Sequence, residues 1–172
     1  MESHWDRERQ FIKQLAQFIW ISPDGGRASV VQFSRDAQLM INFANHSSFS
    51  GFEIALDGLN HWGGITQIDK GLDVALDQQF QVTNGMRPDV THTLVLITDG
   101  NQTGKKFDYV EYRKKLNDRQ IRVLVILVGN VNLNNKIREL VNKPSDIYLA
   151  KSYDDLISND FIHNIMLCEG MR

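Results

Sequence analysis

An aspartate closes one of the two most apolar runs in the chain, where Leu94 to Ile97 leads through Thr98 to Asp99 and Gly100. An acid in that place stands at the carboxyl end of a central strand, the edge where open α/β sheets meet their ligands. Its carboxylate could hold a hard cation; equally, it could close an Asx-turn or cap a helix. The second candidate is Thr66, in Gly63-Gly64-Ile65-Thr66, where glycines let the backbone turn tightly and set a hydroxyl at the start of a helix. Alone, Thr66 reads more readily as a helix cap. Together the two residues point to a metal, because magnesium takes oxygen ligands from few carboxylates and keeps open positions for water or a partner's oxygen. Trp62, just before the glycines, belongs either on the rim of such a site or under the following helix.

Other chemistries find less support. His46, His61, His92 and His163 are scattered without metal-ligand spacing, and neither a GxSxG elbow, a GxxxxGK phosphate loop nor a dinucleotide fingerprint is present. Aspartates also end strands in response-regulator and hydrolase folds, yet no catalytic base can be named beside Asp99, so an α/β enzyme ranks behind a binding module. Cys168 is the sole cysteine, which rules out an internal disulfide and multi-thiolate metal sites. It is either a small buried apolar group or a thiol whose partner lies outside this sequence. Asn45-His46-Ser47 and Asn101-Gln102-Thr103 match the glycosylation acceptor pattern, a triplet that recurs often by chance. A glycan on Asn101 would shield the face that Asp99 occupies.

With 172 residues, 42% of them hydrophobic and 23% charged, the chain has the makeup of one soluble globular domain. Its 21 acidic and 19 basic residues are spread along the sequence, leaving no footprint for nucleic acid or an anionic membrane. Met1 to Arg9 carries charges and no apolar run, so neither a signal peptide nor a membrane span is expected there.

The elements that must position Asp99 and Thr66 follow from periodicity. Trp5, Ile12, Leu15 and Ile19, with Phe11 and Phe18 beside them, mark an amphipathic helix that ends before Ser22-Pro23-Asp24-Gly25-Gly26. Residues 28–34 and 37–44 read as a hairpin turning at Arg35-Asp36, its second strand at a sheet edge. Phe52, Leu56 and Leu59 give one short helix, and Ile68, Leu72, Ala75 and Leu76 another. The runs 92–98 and 121–128 are nearly all apolar and β-branched, as suits parallel strands covered on both faces. Tyr109, Tyr112 and Leu116 mark a helix between them, and Ile137, Leu140 and Val141 another that Pro144 stops. A short strand at 147–150 precedes a closing helix carrying Leu156, Ile157, Phe161, Ile165 and Met166. This alternation predicts a three-layer, doubly wound α/β fold with a mostly parallel sheet and one antiparallel edge strand, and places function at the loops after Ser34, Thr98 and Val128.

Several motifs in this order resemble the von Willebrand factor type A family, also called the integrin inserted-domain family, over nearly the whole chain. They are Pro23-Asp24-Gly25-Gly26, Ala28 to Ser34, Gly63 to Thr66, Leu94 to Gly100, Val125 to Val131, and Ser152 to Leu156. The resemblance implies a protein-binding, non-enzymatic adhesion module of the extracellular matrix or cell surface. It also implies a metal-ion-dependent adhesion site with Thr66 as the second-loop ligand and Asp99 as the third-loop ligand, holding magnesium or manganese. Implied partners are protein ligands, collagen or another matrix protein among them. The family's Asp-x-Ser-x-Ser first loop and the hydrophobic central strand before it have no counterpart here, so residues 1–172 read as a single domain truncated at its amino end. On that reading the neighbouring strands lose ladder partners, the chain alone is marginally stable and it binds magnesium weakly or not at all. Glu2 and Ser3 are poor replacement ligands on a frayed terminus. The resemblance further suggests that Cys168 pairs with a cysteine outside this sequence. The alternative is a degenerate, metal-independent structural or assembly module.

Overall fold

The computed structural model describes residues 4–100, 102–103, 108–129 and 136–169, with side chains in the last segment described as far as 165. Glu2, Ser3, Asn101 and the Cys168 side chain lie outside what is described.

The first helix, α1 (His4–Phe18), buries Phe11 and Ala16 and ends in a tight reversal. Gly26 donates its N–H to the carbonyls of Ile19 and Trp20 there, and a Cβ on Gly26 would stand 2.1 Å from the Ile19 oxygen. Only glycine fits that approach. The chain then forms the antiparallel pair β1 (Val30–Phe33) and β2 (Ala37–Ile41), with Phe33 opposite Ala37 and a register irregularity between Val30 and Val31. Helix α2 (Phe49–Asp57) is capped by Ser48, whose hydroxyl accepts from Gly51 N–H, and buries Phe52 and Leu56 against Ala16, Ile21 and Ile41.

Helix α3 (Ile68–Val74) runs on into a wider turn over Ala75–Gln79, where Phe80 N–H reaches back five residues to Ala75. The parallel strands β3 (His92–Thr98), β4 (Ile121–Val128) and β5 (Ile147–Ala150) follow in that spatial order, with His92 opposite Ile121 and Val125 opposite Ile147. Helix α4 (Tyr109–Asp118) connects the first two, its N-terminus capped by Asp108, which accepts from Val110 and Glu111.

Period-two alternation on β4 divides the interior. Val123, Val125 and Leu127 pack with residues of α3 and α4, while Ile126 and Val128 pack with Phe11 of α1 and with Phe161 and Ile165 of the last helix. A strand apolar on both faces thus has a helical layer against each, the architecture expected from its sequence. Burying each such side chain contributes about 1.5–3 kcal/mol.

Two expected helices take different forms. Ile137–Leu140 is a 3-10 turn, with Ile137 and Leu140 buried, and Pro144 opens a second such turn. The closing apolar stripe is divided into α5 (Tyr153–Leu156) and α6 (Asn159–Glu169), because the Ser158 hydroxyl accepts from Phe161 N–H and starts a new helix there.

The strands form two sheets, β1-β2 and β3-β4-β5, and among the described residues no strand joins β1 to β3. Both strands nevertheless run the same way. At their amino ends, Arg27 donates to Gly85 O, Arg87 to Gly25 O, and the His92 ring bonds Arg87 O. Beyond their carboxyl ends, Ser34 and Thr103 bond the same loop.

Candidate functional site

That loop, residues 63–67, crosses the carboxyl edge between the two sheets. Ser34 holds it at one side: the Ser34 hydroxyl donates to Gly63 O (3.0 Å), and Ser34 O accepts from Gln67 N–H (3.1 Å). Gly64 sits at φ +127°, with the position of an added Cβ 3.0 Å from the Ser34 hydroxyl, so both conformation and space require glycine. The segment after β3 holds the loop at the other side. Thr103 N–H donates to Thr66 O (2.7 Å), and Gln102 accepts from Ile68 N–H (2.7 Å) while its amide donates to Asp69 (2.9 Å).

This arrangement decides the reading of Thr66 as a helix cap. The N-cap residue of α3 is Gln67, which makes no side-chain cap, and the free N–H at Ile68 is satisfied from outside the helix by Gln102. Thr66 therefore stands on the edge as part of the crossing loop. Asp99 is exposed at the end of β3, and the turn behind it is closed by Thr98, whose buried hydroxyl accepts from Gly100 N–H (3.1 Å) at φ +80°. Trp62 is half-buried just before the glycines.

Two groups from elsewhere join this edge. Glu8 of α1 is hydrogen-bonded to Tyr153 of α5, and burial pushes its carboxyl up to about 7; the Tyr153 bond opposes that rise and the negative charge of Asp99 adds to it. Tyr153 is pushed up to about 12, by burial first and then by the charges of Glu8 and Asp99. The His4 ring stacks on Tyr153 with centroids 4.1 Å apart. Asp99 thus shares its surroundings with a second carboxyl held in a poorly solvated place.

Neither Glu8, Ser34 nor Gln102 stands out as a site residue in the sequence. Glu8 carries a signal even so, since it lies at i+3 from Trp5 and i−4 from Ile12, a charged residue on the face that the apolar stripe defines. Ser34 and Gln102 act through side-chain bonds to distant backbone, which no local pattern encodes.

The donor set falls short of a full shell for a divalent cation. Among the described residues no three His, Cys, Asp or Glu side chains come together so that they could hold a metal ion. Magnesium wants near-octahedral oxygen coordination. The edge offers the Asp99 carboxylate and the Thr66 hydroxyl, while the Ser34 hydroxyl is engaged with Gly63.

The family model for the von Willebrand factor type A domain matches residues 1–161. The human collagen alpha-5(VI) chain is 26% identical over 179 residues, covering 99% of this chain and 7% of the collagen chain. Chicken matrilin-1 is 23% identical over 79% of this chain and 27% of its own length, so the 172 residues span a small part of these relatives. Among solved structures, proximal thread matrix protein 1 from the mussel byssus, with a zinc-occupied MIDAS motif, superposes with a TM-score of 0.81 at 19% identity. That match covers 90% of this chain and 40% of the mussel protein.

Proposed function

We propose, from the premise that the chain belongs to the von Willebrand factor type A family, that residues 1–172 form one protein-binding module of an extracellular matrix or cell-surface protein. The partner meets the edge built from Ser34, Gly63 to Thr66, Thr98 to Gly100, Gln102 and Thr103. One observation carries this reading: two loops distant in sequence are fastened to each other and to α3 by Thr103 N–H on Thr66 O and by Gln102 on Ile68 and Asp69. Such cross-fastening supports an edge firm enough to act as a docking face. The kinship with a collagen chain and a matrilin supports a matrix partner, collagen among the candidates, and the proposal assigns no reaction to the module.

Metal dependence is the finer part of the reading. Asp99 and Thr66 are two ligands of a magnesium or manganese site, and a first loop bearing a carboxylate and hydroxyls would have to supply the rest. A metal-independent assembly module is the second reading, favoured for the 172 residues by the lack of a metal-holding trio among the described side chains.

Binding to immobilised fibrillar collagen, with and without EDTA, tests both. The 172-residue chain is expected to bind equally in either buffer. Joined to an amino-terminal strand ending in Asp-x-Ser-x-Ser, it should bind in a chelator-sensitive way that Asp99→Ala abolishes with the circular dichroism spectrum unchanged. Full binding by that variant overturns the metal reading. A chain that binds no matrix protein in either form overturns the whole proposal.

A further inference from the structure

Asn45-His46-Ser47 is a glycosylation acceptor triplet that no part of the proposed function uses. It lies in the loop 42–48 between β2 and α2. Asn45 and Ser47 are exposed, whereas His46 is half-buried, its Nδ1 3.2 Å from where a Cβ on Gly51 would stand. The triplet therefore turns its middle residue inward and the two residues that define the pattern outward. A turn orients the Asn45 side chain: Asn42 N–H donates to Asn45 Oδ1 (2.7 Å), and Asn45 N–H donates to Asn42 O (3.2 Å). A backbone N–H can only donate, so the amide atom that faces it is the oxygen, and Nδ2 is turned away from the turn. Asn45 Nδ2 makes no hydrogen bond among the described residues.

A sugar on that nitrogen replaces one N–H hydrogen, keeps the amide oxygen as acceptor and breaks no bond of the turn. Other asparagines differ. Asn84 Nδ2 donates to Gln78 O, and the Asn117 and Asn142 amides donate to each other, so a sugar on any of these would cost a bond. A glycan is bulky and needs a surface loop, which 42–48 supplies. The place of the loop in the fold matters as well. β2 runs antiparallel to β1, so its last residue, Ile41, pairs with Val30 at the amino end of β1. Gly85, whose carbonyl accepts from Arg27 at that same end, packs on the loop: a Cβ on Gly85 would stand 2.5 Å from Ala44 N. Asn45 thus lies at the opposite end of the β1-β2 pair from Ser34 and the 63–67 loop that Ser34 holds.

We propose that Asn45 is an N-glycosylation site whose glycan covers the amino end of the β1-β2 pair and leaves the carboxyl edge open to a protein partner. The donor is a polyprenyl-diphosphate-linked oligosaccharide. Asn45 Nδ2 bonds to its anomeric carbon, the bond from that carbon to the diphosphate oxygen breaks, the lipid diphosphate leaves, and the proton lost from nitrogen passes to a base of the transferase. This rests on the extracellular part of the function proposed above, since such donors serve the secretory route.

The test expresses the 172-residue chain in animal cells behind a cleavable secretory leader. Enzymatic deglycosylation in heavy-oxygen water, followed by mass spectrometry, should label residue 45 in most chains, in cell-retained and secreted protein alike, because glycan transfer precedes folding. Ser47→Ala should abolish that label, since it removes the hydroxyl of the triplet and keeps Asn45 with its turn bond. The thermal midpoint of the glycosylated chain should match that of Ser47→Ala within about 2 °C, and a midpoint lower by several degrees would show that the glycan breaks the turn, overturning the proposal. Hydrogen exchange of residues 63–67 and 102–103 should be the same in both proteins; slowed exchange there in the glycosylated chain puts the glycan on the carboxyl edge and overturns its placement. An unlabelled residue 45, whatever is found at residue 101, overturns the site itself. The leader supplies the secretory route and collagen binding enters none of these readings, so a failure at Asn45 is distinguishable from a failure of the proposed function.

Discussion

Glu8 stands on the face that α1 turns toward the sheet, and burial raises its carboxyl from 4.5 to about 7. Between those two values the folded chain keeps a proton that the unfolded chain has lost, so stability falls as pH rises through that window and levels off above 7. Glu8→Gln removes the carboxylate and with it the slope. At pH 8 the variant should be more stable by about 1–3 kcal/mol, a range reduced from the full pKa difference for the partial exposure of the group. Urea denaturation at pH 4.5, 6 and 8 checks this, and parallel curves for the two proteins would refute it. The neutral Glu8 expected below pH 7 also spares Asp99 a second negative charge. Of the residues near this edge, Asp99 and Thr66 could be proposed from sequence because strand-end acids and glycine-led turns have local signatures. Ser34 and Gln102 were not, since their roles exist only once distant backbone has been brought to them.

At the scale of elements, α3 packs closely against β1. Gly71 is buried in the helix, and a Cβ there would lie 2.9 Å from Phe33 Cγ and 3.3 Å from Phe33 Cβ. The second distance matters most, because Phe33 Cβ is fixed by the strand and cannot swing aside. Gly71→Ala gains about 1 kcal/mol in helix propensity but overpacks a site where such insertions cost about 1–3 kcal/mol or more. A net loss of about 1–2 kcal/mol is expected, seen as a fall in the thermal midpoint of about 2–8 °C at this chain length. An unchanged or raised midpoint would show that the helix can shift outward. The same close packing explains why strands were read more accurately than helices. Residues 92–98, 121–128 and 147–150 are the strands that their uninterrupted apolar runs predict. The 137–141 stripe became a 3-10 turn and the final stripe two helices, since buried apolar spacing is shared by one long helix, two short ones and a tight turn.

Across the whole molecule, β4 is the axis of the three-stranded sheet and its alternating side chains feed two of the three apolar clusters. The third lies among α1, β2 and α2. Fold class was readable from sequence because the order of apolar runs is a global property that survives the division of the sheet. The division between β1 and β3 was expected only through the family resemblance, since the periodicity of a strand does not name its partners. An incomplete donor set has a thermodynamic consequence as well. A ligand stabilises a fold only when its concentration approaches its dissociation constant. Magnesium at millimolar concentration should therefore leave the unfolding midpoint of the 172 residues unchanged within about 1 °C, whereas a rise of several degrees reversed by EDTA would reveal further ligands.

The wide turn at Ala75–Gln79 holds one residue more than an ordinary helical turn would, and Asp77 and Gln78 within it are exposed. Deleting either of them should let the turn rewind as α-helix with Phe80 still against Phe43 and His92. Chain length can change by one at that point without disturbing the interior, so in any collection of natural variants single-residue gaps should gather there and be scarce in the strands on either side.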